Sequence, residues 1–272
     1  MIRRQGLVLV ALLVVAGAFL MGTSTGSPDT GRLVTSEPAA PPAGSGSLTL
    51  SPGPGTEPEP LRVLLIGDSI MENTGDHLLS ELRRVLGDNV IVRVEGHPGS
   101  GLLTTEKFDW QRRFDEMLAE FDPDIVVALF VGNYPTEWPY VIGLDGQPIL
   151  PDSPEFHEAW RNAAVQITDR AVTNGASMWW ITPPPMRDPG TWGQRAVDLA
   201  ELYRSLVTSI PDAEVIESAS AVGGIDGGYV EELPDPETGV LRTVRSADGL
   251  HLTSFGGRLL AAAITYNLVH RL

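Results

Sequence analysis

The sequence predicts an α/β protein with a parallel sheet between two layers of helices. Three observations carry this. From residue 61 to the end, short apolar runs alternate with stretches of helical period. The runs at 63–66 (Val-Leu-Leu-Ile) and 125–131 (Ile-Val-Val-Ala-Leu-Phe-Val) contain no polar residue, as strands buried on both faces require. The connections between them are short, which implies right-handed crossovers within one sheet. The expected architecture is a three-layer α/β/α sandwich with a flavodoxin-like, five-stranded parallel sheet in the order 2-1-3-4-5. That order gathers the loops after strands one to four on one rim, where such sheets bind ligands.

Each element has its own justification. The first strand opens at Leu61 and stops at Gly67. Residues 76–86 carry Leu78, Leu79, Leu82, Val85 and Leu86 at helical spacing and end at Gly87. A second strand is expected at 89–94 and a helix at 104–121, with Phe108, Phe114, Met117, Leu118 and Phe121 as core contacts. The third strand spans 124–131, a helix follows at 155–174, and 177–181 is the fourth strand, with Trp179 and Trp180 expected in the core. It runs into Thr182-Pro183-Pro184-Pro185. A helix at 193–209 and a strand at 213–216 complete the sheet, 227–245 reads as an excursion with the look of a hairpin, and the last helix covers 253–269.

Ahead of this domain (61–272) stand two other segments. Arg3 and Arg4 precede an uncharged run, 6–22, dominated by Leu, Val and Ala. Residues 1–22 therefore read as an export signal, either a cleaved signal peptide or a retained membrane anchor. Residues 23–60 are rich in Pro, Gly, Ser and Thr and cannot bury enough apolar surface to offset the entropy of ordering them. They read as a disordered tether. The expected location is extracytoplasmic, secreted or tethered, with membrane contact through the N-terminal segment alone.

The chain has a formal net charge of −16, so nucleic acid and anionic lipid are poor partners. It has no cysteine, which excludes disulfides, thiol nucleophiles and zinc–thiolate sites. No His/Asp/Glu grouping has metal-ligand spacing, so no metal and no cofactor is expected.

The chemistry rests on two distant motifs. Gly67-Asp68-Ser69 follows the first strand, and Asp248-Gly249-Leu250-His251 enters the last helix. Taken alone, each reads as a turn with a helix cap. An aspartate three residues before a histidine can also set a carboxylate beside an imidazole. Together the motifs resemble the SGNH/GDSL hydrolase superfamily, over residues 61–272. The resemblance implies a catalytic triad of Ser69 as nucleophile, His251 as base and Asp248 as its orienting carboxylate. It also implies an oxyanion hole from the backbone N–H of Ser69, a glycine N–H in the loop after strand two, and an asparagine amide after strand three. Gly101 fits the glycine and Gly99 is the alternative; Asn133 fits the asparagine. The third block departs from the family's Gly-x-Asn-Asp: here Gly132 directly precedes Asn133, and Tyr134 replaces the aspartate. The Gly-x-Ser-x-Gly elbow of α/β-hydrolases is absent around Ser69.

Other residues are open to two readings. Tyr134, Trp138 and Tyr140 either form a platform for substrate or pack a loop. Met186 and Arg187 either line the pocket, with Arg187 binding an anionic group, or Arg187 is a solvated surface charge. Asp68 is expected to support the turn, and His77, His97, His157 and His270 to be packing or surface residues. The functional expectation is an exported serine esterase acting through an acyl-serine on an acylated small molecule, extracellular glycan or lipid. An O-acyltransferase of envelope polysaccharide and a non-catalytic carbohydrate-binding module are the alternatives, and oligomeric state is left open.

Overall fold

The computed structural model describes residues 59–188 and 190–271. The expected signal or anchor, and the tether apart from its last two residues, lie outside the described residues. The elements run β1 (Leu61–Gly67), α1 (Ser69–Leu86), β2 (Val90–Gly96), α2 (Trp110–Phe121), β3 (Ile125–Leu129), α3 (Pro154–Thr173), β4 (Ser177–Ile181), α4 (Thr191–Val207) and β5 (Ala213–Ile216). A short α5 (Ala219–Val222), a hairpin of β6 (Glu232–Pro234) and β7 (Leu241–Thr243), and α6 (Ser254–Arg271) complete the domain. The five large-sheet strands are all parallel, in the order β2-β1-β3-β4-β5.

The two faces of the sheet are filled by alternating residues of the same strands, the period of two that a pleated backbone imposes. Leu64 and Ile66 of β1, with Val126 and Ala128 of β3, face Phe114, Met117, Ala164, Ile167 and Leu202 of α2, α3 and α4. Val63 and Leu65, with Ile125, Val127 and Leu129, face Leu78 and Leu82 of α1 and Leu260, Ile264 and Leu268 of α6. The adjacent tryptophans of β4 divide in the same way: Trp180 belongs to the first core and Trp179 to the second. Truncating any of the fully buried leucines to alanine is expected to cost about 2–5 kcal/mol.

Several boundaries differ from the sequence-based reading, most widely at the starts of α1 and α2, where a local cap sets them. Helix α1 starts at Ser69, not at 76, because Asp68 caps it by accepting from the Ile70 N–H at 3.0 Å. The weak helix formers Asn73, Thr74 and Gly75 hide this first part, yet Gly75 is required: a Cβ there would lie 2.5 Å from Val94 of β2. Helix α2 starts at Trp110, not 104, where the Asp109 side chain caps it by accepting from Arg112 N–H at 3.1 Å. Phe108 consequently lies outside the helix and stacks on His97, ring centroids 3.6 Å apart. Strand β3 ends at Leu129, and the chain leaves the ladder before Asn133.

Candidate active site

Strands β1, β2 and β3 end level, with Gly67 opposite Gly96 and Leu129. The turn after β1 has no room for a side chain, since a Cβ on Gly67 would lie 2.2 Å from the Leu129 carbonyl oxygen. Ser69 follows as the first residue of α1, so its hydroxyl stands on the rim and its N–H has no acceptor within the helix.

Across the rim, the loop before α6 brings His251 onto Ser69. His251 Nε2 lies 2.8 Å from Ser69 Oγ, and His251 Nδ1 lies 2.6 Å from Asp248 Oδ2. A charged Asp248 can only accept, so Nδ1–H donates to it and Nε2 is left to accept from the Ser69 hydroxyl. The other Asp248 oxygen accepts from the N–H groups of Leu250 (2.9 Å) and His251 (3.0 Å). Partial burial works against the charge on Asp248, but the His251 hydrogen bond and these two N–H groups outweigh it and hold the carboxyl below its usual range.

This loop is braced from outside. Gly249 has φ +72°, and a Cβ there would lie 2.6 Å from the Arg187 side chain. Arg187 receives no free role in a pocket and is not simply solvated: its N–H donates to Gly249 O (3.0 Å) and its Nη2 to Ala247 O (2.7 Å). Glu231 lies 3.7 Å from its Nη1. Sequence reading missed this brace because its partners are backbone carbonyls 60 residues away.

Asp68 is wholly buried beneath Ser69. It accepts from Val131 N–H (2.7 Å), Ile70 N–H (3.0 Å) and the Asn133 side-chain amide (3.1 Å). Burial pushes its carboxyl up to about 7, against the opposing pull of these N–H groups and of His251. The same Asn133 amide donates to Ser100 O at 3.0 Å, so both of its N–H groups are engaged. Ser100 is itself buried, donating to His97 O (2.6 Å) and accepting from Trp110 Nε1 (2.9 Å).

Gly101 lies against the loop that carries Asn133: a Cβ on it would sit 2.0 Å from Asn133 O. Its N–H donates to Thr104 Oγ1 at 3.1 Å. Gly99 occupies a left-handed turn position, φ +70°, whose nearest side chain is Lys107. An oxyanion beside Ser69 would share or displace the present acceptors of Gly101 and Asn133.

The aromatic residues after Asn133 separate. Tyr134 is buried, donating to Ile149 O (2.8 Å) and accepting from Val141 N–H (3.1 Å), with its ring on Phe156; it packs the loop and offers no platform. Trp138 is 68% exposed and meets Tyr140 edge-on. A cleft of about 380 Å³ lined by Pro183, Pro185, Met186, Val197 and Tyr229 touches none of Ser69, Asp248 and His251. Among the described residues no group of three or more His, Asp or Glu side chains is placed to hold a metal ion.

A five-stranded parallel sheet in this order between two layers of helices is the fold shared with solved GDSL/SGNH hydrolases, among them a G-D-S-L family protein from Desulfitobacterium hafniense DCB-2 (TM-score 0.53, 16% identity, covering 75% of this chain and 98% of that one). Solved structures agree. A catalytic mutant of an acetylxylan esterase from Geobacillus stearothermophilus superposes with a TM-score of 0.56 at 12% identity, covering 77% of this chain and 94% of that one. The acetyl xylan esterase AlAXEase gives 0.53 at 15% identity, with 76% and 100% covered. The psychrotrophic esterase EstA from Pseudoalteromonas sp. gives 0.50 at 13% identity, with 77% and 97% covered. At such identities the likeness is one of fold. Residues 62–267 match the family described as protein of unknown function (DUF459), and the chain belongs to that family. No curated protein matches the sequence.

Proposed function

We propose that the protein is an exported serine ester hydrolase that cleaves an O-acyl group from an extracellular glycan or lipid. One observation carries the chemistry: the continuous relay Ser69 Oγ, His251 Nε2, His251 Nδ1, Asp248 Oδ2, with heavy-atom separations of 2.8 and 2.6 Å across its two hydrogen bonds. Ser69 Oγ attacks the ester carbonyl carbon while Nε2 takes its proton. Asp248 stabilises the imidazolium. The oxyanion is met by the Ser69 N–H, the Gly101 N–H and the Asn133 amide. Collapse expels the alcohol, which takes the proton from Nε2. Water then attacks the acyl-serine by the same relay, releasing the acid and restoring the hydroxyl.

Esterase activity of fold neighbours, two of them acetylxylan esterases, supports an acylated-carbohydrate substrate. Export is supported by Arg3 and Arg4 ahead of the apolar run at 6–22. No described helix is long and apolar enough to cross a membrane. Exposed Trp138 is the side chain we assign to stacking on a sugar ring.

The test is labelling by a fluorophosphonate probe together with p-nitrophenyl acetate turnover, each compared with Ser69→Ala. Loss of both in Ser69→Ala is expected. A folded wild-type protein that neither labels nor turns over would instead be a binding module of the same fold. Ester formation on an added sugar acceptor would make it an acyltransferase. Fractionation of cells expressing the full chain tests export, and purely cytoplasmic protein would overturn it.

A further inference from the structure

The third block departs from the pattern of its superfamily at Gly132 and Tyr134, yet Asn133 reaches both Asp68 and Ser100 O. Something must hold it there. Asn133 lies near the start of the long connection between β3 and α3. A connection of this length carries large conformational entropy and cannot by itself aim a side chain.

We propose that buried Arg195 and half-buried Asp152 form a clamp that positions Asn133 as an oxyanion donor; this rests on the esterase reading above. Arg195, on the first turns of α4, is wholly buried. Its Nη1 donates to Gly132 O at 2.9 Å. Its Nε and Nη2 donate to the two carboxylate oxygens of Asp152 at 2.5 and 2.8 Å. The guanidinium carbon lies 4.8 Å from the centre of the Trp192 ring and 5.3 Å from that of Phe156. A single planar fork therefore ties Gly132, at the start of the connection, to Asp152, two residues before α3. A buried guanidinium without its carboxylate is strongly unfavourable, so the pair holds the loop ends together.

The clamp also accounts for the displaced glycine. Gly132 has φ +85°, and a Cβ there would lie 2.6 Å from Leu199 and 2.8 Å from Arg195. Its carbonyl can meet Nη1 only because no side chain intervenes. The backbone entering Asn133 is thus pinned at two successive residues by buried polar side chains: Val131 N–H by Asp68 and Gly132 C=O by Arg195. With those two peptides held, the Asn133 side chain has a defined origin. Arg195 touches no reacting atom; it is a positioning residue.

The experiment combines kinetics with a readout independent of turnover. In Arg195→Lys the point charge remains but the fork is lost, and Asp152→Asn is the milder partner variant. Both are expected to lower kcat on p-nitrophenyl acetate at least tenfold with KM changed less than twofold. Each double variant with Asn133→Ala is expected to lose no more than Asn133→Ala alone, because both changes act through the same donor. In parallel, the side-chain amide resonance of Asn133, assigned by its disappearance in Asn133→Ala, is expected to shift in both variants. Losses that multiply with Asn133→Ala, or an unmoved amide resonance in a folded variant, would overturn the clamp. A wild type inactive on esters would sink the esterase reading alone, and the amide resonance would still decide the positioning.

Discussion

Two aspartates belong to the site around Ser69 and His251, and their surroundings drive them in opposite directions. Asp248 stands half-exposed at the rim, and its hydrogen bonds to His251 and two N–H groups keep it charged below the usual carboxylate range. Asp68, beside Ser69 in the sequence, is wholly enclosed, and burial pushes it up to about 7. Residue type is the same; solvation decides the proton. The exposed carboxylate is suited to stabilising a transient imidazolium. The enclosed one has its oxygens occupied by Ile70, Val131 and Asn133, and so organises the floor of the site.

The largest test removes the group both aspartates serve. Ser69→Ala is expected to reduce turnover to background, with folding retained by circular dichroism. Asp248→Asn comes next: the amide can no longer fix the tautomer, and a loss of about 10⁴ in kcat is expected. An Asp68→Asn loss as large as this would erase the division of labour. Asn133→Ala follows, with about 10²–10³ lost in kcat, measurable on p-nitrophenyl acetate.

The smallest effects are in stability, and their signs distinguish the two carboxylates. Between the ordinary carboxyl value of 3.8 and about 7, folded Asp68 keeps a proton that the unfolded chain releases. More protons are then bound in the folded state, so this contribution to stability falls as pH rises through that window. Asp248 is lowered, so its contribution is present above the ordinary value and is lost as pH falls below it. Denaturant midpoints for Asp68→Asn across pH 4–7 are expected to show a flatter profile than wild type, while Asp248→Asn alters the acid limb alone. Identical profiles would remove the contrast.

The strands were legible because burial on both faces leaves an unambiguous signal, as at Val63–Ile66. Boundaries were less so, since Gly75 inside α1 looks like a breaker and is in fact demanded by Val94 across the helix–sheet contact. Ser69, Asp248 and His251 could be picked out because short motifs carry their chemistry. Tyr134 could not be assigned, because an aromatic residue on a loop has the same spelling whether it faces solvent or Phe156. Arg187 and Arg195 were opaque for a related reason: each acts on backbone carbonyls, which every residue possesses.

By itself, then, the chain of residues determined the layering of the sheet, the order of its strands and which side chains are candidates for the site. Those follow from hydrophobic period, turn chemistry and functional groups, which are local. Tertiary structure decided that Ser69 and His251 meet 182 positions apart, that Asp68 is enclosed while Asp248 is not, and that a guanidinium from α4 grips the peptide before Asn133. Proximity and desolvation depend on the surrounding atoms, and those are assembled only when distant segments pack.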